Sequence, residues 1–155
     1  MNASPIRQRL EELGIVIPHI VPPVAEYLPA KRVGDLVYVS GQGPSENGRF
    51  PHIGRVGREV TMEQAHKSAA ICALNALAAV ESLVGSLDRI AEVVHVRGFV
   101  NSADEFHDQP RVVNGASELL VRIFGERGRH ARAAIGTGNL PGNIPVEIEF
   151  LFRID

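Results

Sequence analysis

The stretch His130-Ala-Arg-Ala-Ala-Ile-Gly-Thr-Gly-Asn-Leu-Pro-Gly-Asn-Ile-Pro-Val-Glu-Ile-Glu149 decides the fold. It reads as two strands joined by a Pro141-Gly142-Asn143 corner. Arg132 enters the first strand. The second continues to the C-terminus and alternates: Val146, Ile148, Phe150, Phe152 and Ile154 fall on one face, Glu147, Glu149, Leu151 and Arg153 on the other. The apolar face must be buried, which sends both glutamates to the opposite face. If a partner or ligand also covers that second face, carboxylates and a guanidinium share a confined space.

Working outward, the upstream chain supplies the rest of a two-layer domain. Val24–Pro29 and Leu36–Gly41 read as paired strands around a Gly34-Asp35 turn, with Tyr27 in the first and Ser40 ending the second. Residues 44–59 read as a loop, with a small strand near Arg58-Val60. Thr61-Met-Glu-Gln64 is a capping box that opens a helix running to about Val84, with Gly85 as terminator. Ala65, Ala69, Cys72, Ala76, Val80 and Leu83 form its apolar stripe, and the small residues allow close approach to a sheet. Glu92–Val100 is β-branched and extended. Asp108-Gln-Pro110 starts a further helix closed by Gly125, with the stripe Val113, Ala116, Leu120, Ile123 and Phe124. Residues 1–23 form a leader: Ser4-Pro5 opens a short helix with Ile6, Leu10 and Leu13 on its apolar side, Gly14 closes it, and a proline-broken extended segment follows.

Strand, strand, helix, strand, helix, strand, strand implies an α+β domain over residues 24–155, a mixed sheet with two long helices on one face. The other face is left bare, and Glu147, Arg132, Val39 and Arg97 are expected on it. A half-polar bare face predicts self-association.

Composition narrows the function. At 155 residues the chain suits one domain with a real core. A net charge of -2 and the lack of Trp give no footprint for nucleic acid. One cysteine, Cys72, excludes an internal disulfide and suits a reducing cytosol. Charges at Arg7, Arg9, Glu11 and Glu12 leave no signal-peptide core, and no uninterrupted apolar run reaches membrane-spanning length. The expected location is cytoplasmic. His19, His52, His66, His95, His107 and His130 show no metal-ligand spacing, and no phosphate-binding or nucleophile-elbow motif occurs. No metal or organic cofactor is expected.

Ala131-Arg-x-x-Ile-Gly136, Leu140-Pro and Val146-Glu-Ile-Glu149, with Gly34-Asp-Leu-Val-Tyr-Val-Ser-Gly-Gln42 upstream, resemble the signatures of the Rid family of imine/enamine deaminases, many of whose members are called L-PSP endoribonuclease-like. The resemblance covers roughly residues 24–155. It implies a chorismate-mutase-like fold and a homotrimer with sites in the clefts between subunits. It also implies that Arg132 binds a substrate carboxylate, a role suited to a planar, permanently charged fork. Glu147 matches the glutamate that positions or activates water. Tyr27, Ser40, Gly41, Ala134 and Asn114 match the substrate pocket, Asn114 from the adjacent subunit. The plainer alternatives are a structural Arg132, a Glu147 that only partners a neighbouring arginine, and an Asn114 with its amide in solvent. Ala133 and Ala134 stand where the archetype often has Ser and Cys, and the Asp108–Pro110 segment and the leader look like additions.

The implied reaction is hydrolysis of reactive imines or enamines of the 2-aminoacrylate type to 2-keto acids and ammonia, without a cofactor. A second possibility is a non-catalytic trimer that binds small carboxylates. The third, an endoribonuclease or translation inhibitor, fits poorly with the charge and aromatic content.

Overall fold

A computed structural model describes residues 4–155. Helix α1 spans Pro5–Glu12, strand β1 Ala30–Val33, β2 Leu36–Gln42, helix α2 Met62–Val84, β3 Ile90–Asn101, α3 Gln109–Phe124, β4 Ala131–Thr137 and β5 Val146–Ile154. The five strands form one mixed sheet in the order β1-β2-β5-β3-β4. All pairings are antiparallel except β3 with β4.

The helices follow their local signals. The Thr61 hydroxyl accepts the Gln64 N–H, the Gln64 side chain returns the bond to the Thr61 N–H, and Gly85 ends α2 in the left-handed region at φ 89°. Gly125 caps α3. Ala65, Ala69, Cys72, Ala76 and Val80 are buried, but Leu83 at the end of the expected stripe is exposed. By length and composition α2 is apolar enough to cross a membrane, although no single apolar run in it is. Here its apolar residues pack in the domain core.

Two expectations need correction. Val24–Pro29 is not a strand; β1 begins at Ala30 and pairs Ala30 with Val39 and Val33 with Leu36. The two-residue Gly34-Asp35 turn requires the partner strand to end at Val33, and Pro22, Pro23 and Pro29 deprive the earlier segment of donors. The Pro141-Gly142-Asn143 corner does join two strands, and they are not sheet neighbours: β4 lies at the sheet edge beside β3, and β5 between β2 and β3. Finally, Arg132 and Val39 are not on the bare face. Val39 pairs with Phe150, and Arg132 pairs with Val96, both buried under the helices. Arg97 and Glu147 do lie on the bare face, with Tyr38, Phe99, Ile135, Glu149 and Leu151.

The leader helix belongs to the same core. Ile6 and Leu10 are buried in it, the Ile6 N–H donates to Asp88 Oδ1 at 2.9 Å, and Arg9 Nε donates to the Arg122 carbonyl at 3.0 Å.

Glycines set how closely α3 can approach its neighbours. A Cβ on Gly115 would stand 1.9 Å from the His66 carbonyl oxygen of α2, and one on Gly98 would stand 2.4 Å from Val113 Cγ2. Gly115→Ala must therefore push two backbones apart. It is expected to cost about 1–3 kcal/mol, as overpacking does, lowering Tm by roughly 2–12 °C in a domain of this size. A thermal melt checks this.

Candidate functional site

Arg132 stands near the start of the edge strand β4, on the face covered by α3. Its Nη1 donates to Asn114 Oδ1 at 2.8 Å and to Ser117 Oγ at 3.1 Å. Asn114 and Ser117 are one helical turn apart on α3, so one face of the helix grips one amino group of the guanidinium. Among the described residues no carboxylate pairs with Arg132. Both acceptors are neutral, so they fix the group without cancelling its charge. Asn114 thus meets Arg132 within one chain, where the resemblance implied a contribution from the adjacent subunit.

Behind Ser117 stands His130. Its Nε2 is 2.9 Å from Ser117 Oγ, and its Nδ1 is 2.7 Å from the Gly128 carbonyl oxygen. Burial holds its pKa below the usual imidazole range, and the Arg132 and His95 charges push the same way, against the hydrogen bond to Gly128. The ring is therefore neutral at pH 7. Neither Ser117 nor His130 was singled out as a site residue in the sequence. Their only signals are weak ones: Ser117 follows Asn114 by one helical turn, and His130 precedes Arg132 by two residues.

Of the other predicted site residues, Gly41 lies against Glu147, on the opposite face of the sheet. Glu147 pairs in register with Phe99. A Cβ on Gly41 would lie 3.1 Å from its carboxyl carbon and 3.2 Å from Oε2, so the carboxylate rests on the bare backbone of Gly41. A bulge makes this contact: β2 takes three steps from Val39 to Gln42 while β5 takes two from Phe150 to Ile148. Ser40, inside the bulge, donates its hydroxyl to the Leu28 carbonyl at 2.6 Å. That bond ties down the segment carrying Tyr27, which is 54% exposed. Ala134 pairs with Gly98 and so shares the Arg132 face, while Ala133 pairs with Arg97 on the Glu147 face.

Glu147 has no cation and no hydrogen-bond donor among the described residues, whereas its neighbour Glu149 pairs with Arg97 at 3.6 Å. Burial raises the Glu147 pKa, and the charge of Glu149 adds to the effect. In one chain Arg132 lies on the opposite face of the sheet, so its charge does not offset this rise.

The sign of the linkage follows. With its folded pKa above the unfolded value, Glu147 binds more protons folded than unfolded, so stability falls as pH rises from about 4.5 through the raised value. At neutral pH the buried charge is a net cost. Glu147→Gln is expected to raise Tm by roughly 1–3 °C, while lowering turnover in any reaction that uses the carboxylate as proton acceptor. Melts at pH 7 and pH 4 check this, because the gain should shrink in acid.

Asn114 also lines an open cleft of about 460 Å³ between α2 and α3, with His66, Lys67, Arg111 and Glu118. Arg132 and Glu147 do not line it. Among the described residues no three His, Cys, Asp or Glu side chains are grouped to hold a metal ion. The Cys72 thiol is fully buried, and burial, then the charge of Glu147, pushes its pKa well up, so it stays protonated.

The model of the family described as "YjgF/chorismate_mutase-like, putative endoribonuclease" matches residues 7–152. "Protein TCP17" of Trypanosoma cruzi is 35% identical over 151 residues, 97% of this chain and 94% of that one. The protein Atu1372 of Agrobacterium tumefaciens, described as of unknown function, has a crystal structure that superposes with a TM-score of 0.90 at 45% identity, over 97% of this chain and 93% of that one. The crystal structure of a protein of Shewanella oneidensis described as a "putative endoribonuclease" gives a TM-score of 0.92 at 28% identity, over 98% and 100% of the two chains. The match begins within α1, whose Ile6 and Leu10 are part of the core. The chain belongs to the YjgF/chorismate mutase-like family, the Rid or L-PSP family.

Proposed function

We propose that this protein is a cofactor-independent deaminase that hydrolyses small imine or enamine acids of the 2-aminoacrylate type to 2-keto acids and ammonia. The observation that carries the reading is the half-buried Arg132 guanidinium, oriented by neutral acceptors and matched to no carboxylate of its own chain. Such a charge is costly unless a ligand anion completes it.

The chemistry needs little beyond that. The enamine tautomerises to an imine, whose carbon is already electrophilic. Arg132 holds the carboxylate. Glu147, its basicity raised by burial, takes a proton from water as the oxygen attacks the imine carbon. Glu147 passes that proton to the nitrogen, giving the carbinolamine; it then takes the carbinol hydroxyl proton and delivers it to the nitrogen as the carbon–nitrogen bond breaks, and ammonia leaves with the keto acid behind. Neither a Ser nor a Cys after Arg132 takes part, so Ala133 and Ala134 do not preclude it.

Arg132 and Glu147 occupy opposite faces of one sheet, so a single chain does not bring them to one substrate. A homotrimer supplies what is missing: the Arg132 face of one subunit meets the Glu147 face of the next. The exposed apolar groups Tyr38 and Ile135, and the partly buried Phe99 and Leu151, give the bare face something to bury in such an assembly.

The test is ammonia release from 2-aminoacrylate generated in situ, measured against its spontaneous decay. Acceleration that saturates with substrate is expected. No acceleration with a folded oligomer overturns the reading, and metal-independent cleavage of RNA in its place would favour the endoribonuclease description attached to the family.

A further inference from the structure

We propose that Ser117 and His130 are positioning residues for Arg132, forming a one-way hydrogen-bond relay that turns one edge of the guanidinium toward the ligand. The inference rests on the carboxylate-binding reading of Arg132.

The direction of the relay follows from groups with only one possible role. The Gly128 carbonyl can only accept, so His130 Nδ1, 2.7 Å away, must carry the proton. In the neutral ring Nε2 is then an acceptor, and the Ser117 hydroxyl 2.9 Å away donates to it. That leaves the Ser117 oxygen lone pairs facing Arg132, whose Nη1 can only donate, at 3.1 Å. Asn114 Oδ1 takes the second Nη1 hydrogen at 2.8 Å.

Nη1 has two hydrogens, and both are now used. Nε and Nη2 have no partner among the described residues. These two nitrogens form the side edge of the guanidinium, whose parallel N–H bonds match the two oxygens of a carboxylate. Three neutral side chains thus select which edge is presented and leave the full positive charge for the ligand. A carboxylate in place of Asn114 or Ser117 would orient the arginine equally well but neutralise it.

A Ser–His pair at this distance also invites comparison with an activated nucleophile. Here the Ser117 oxygen points its lone pairs at a guanidinium N–H, so it is engaged rather than poised for attack.

The experiment titrates pyruvate, the stable product of the proposed reaction, into the full-length protein. Ser117→Ala is expected to weaken pyruvate binding roughly tenfold to 150-fold, the scale of one hydrogen bond to a charged group. Alanine suits a helix, so the fold should persist. His130→Phe keeps the ring and removes both nitrogens; a loss of about threefold to tenfold is expected as the serine hydroxyl loses its acceptor. Ser117→Thr restores the hydroxyl and should bind within about twofold of the parent. Nitrogen-15 spectra of the arginine side chains in the free protein provide a second readout. Rotation about the Arg132 Cζ–Nη1 bond should be slow in the parent and fast in Ser117→Ala. If Ser117→Ala and His130→Phe bind pyruvate like the parent while Arg132→Ala does not, the relay is overturned and the carboxylate clamp stands. Parent-like binding by Arg132→Ala overturns the clamp itself. Lower Tm with unchanged Arg132 rotation and no rescue by threonine would mark Ser117 as merely structural and also overturn the relay.

Discussion

Arg132→Lys is expected to weaken binding of a small 2-keto acid nearly as much as Arg132→Ala. In the parent, Nη1 is committed to Asn114 and Ser117, and the Nε–Nη2 edge remains for the ligand. An ammonium has all its donors on one nitrogen. It cannot satisfy two acceptors on α3 and also form two parallel bonds to a carboxylate. Lysine therefore either stays with Asn114 and Ser117 or leaves them unpaired to reach the ligand. Losing a charge-assisted two-point contact in a partly dry cleft costs about 2–5 kcal/mol, judged from truncated charge pairs at interfaces. That is roughly thirtyfold to several-thousandfold in affinity. Calorimetric titration of pyruvate into the three proteins measures it. Parent-like binding by a folded Arg132→Lys would rule out the two-point geometry. Stability should respond less than affinity, because Arg132 forms no ion pair within the chain.

The sequence was most legible where the determining signal is local. The capping box at Thr61 and the left-handed glycine at Gly85 bracket α2 as expected. The alternation from Val146 to Ile154 appears directly as buried and open faces of β5, and the α3 stripe from Val113 to Phe124 is buried. These features depend on neighbours within a few residues, where periodicity and capping chemistry act.

The misreading of Arg132 is one of pairing between distant segments. Which face Arg132 occupies depends on its register against Val96, thirty-six residues earlier in the chain (132 − 96). Strand β4 carries no alternation to reveal it: Ala131 to Thr137 contains no fully buried residue, because the strand lies at the sheet edge. The position of β5 between β2 and β3 was equally hidden, since a corner of Pro141-Gly142-Asn143 serves a crossover as well as a hairpin. The tyrosine segment misled for another reason. Val24, Tyr27 and Leu28 have strand propensity, but they are exposed and the prolines around them supply no ladder donors. The candidate site was therefore legible as a set of residue types and not as an arrangement. Arg132, Asn114, Glu147 and Gly41 were identifiable from the resemblance; that Arg132 and Glu147 lie on opposite faces of the sheet was not. Ser117 and His130 become meaningful only once α3 is seen against β4.

The proposed trimer, which joins those two faces, leads to the second large effect. Arg132→Ala and Glu147→Gln, each inactive alone, are expected to regain activity when their subunits are mixed within one oligomer. In either pure variant every site lacks one of its two groups. In a mixed ring, some interfaces join an intact Arg132 from a Glu147→Gln subunit to an intact Glu147 from an Arg132→Ala subunit. With equal amounts and random assembly into a closed cyclic trimer, about a quarter of the sites are complete. Activity should rise from near zero to roughly that fraction of the parent value. Joint refolding, followed by the ammonia assay and a light-scattering mass, makes the comparison. A double variant carrying both changes, mixed with parent subunits under the same conditions, controls for simple dilution. If Arg132 and Glu147 served one site through a single chain, mixing would restore nothing, because no chain in the mixture carries both groups. A monomer in solution would give the same null result for a different reason, and the mass measurement tells the two apart. Recovery of activity would thus place the substrate between subunits, with Arg132 on one side and Glu147, seated on Gly41, on the other.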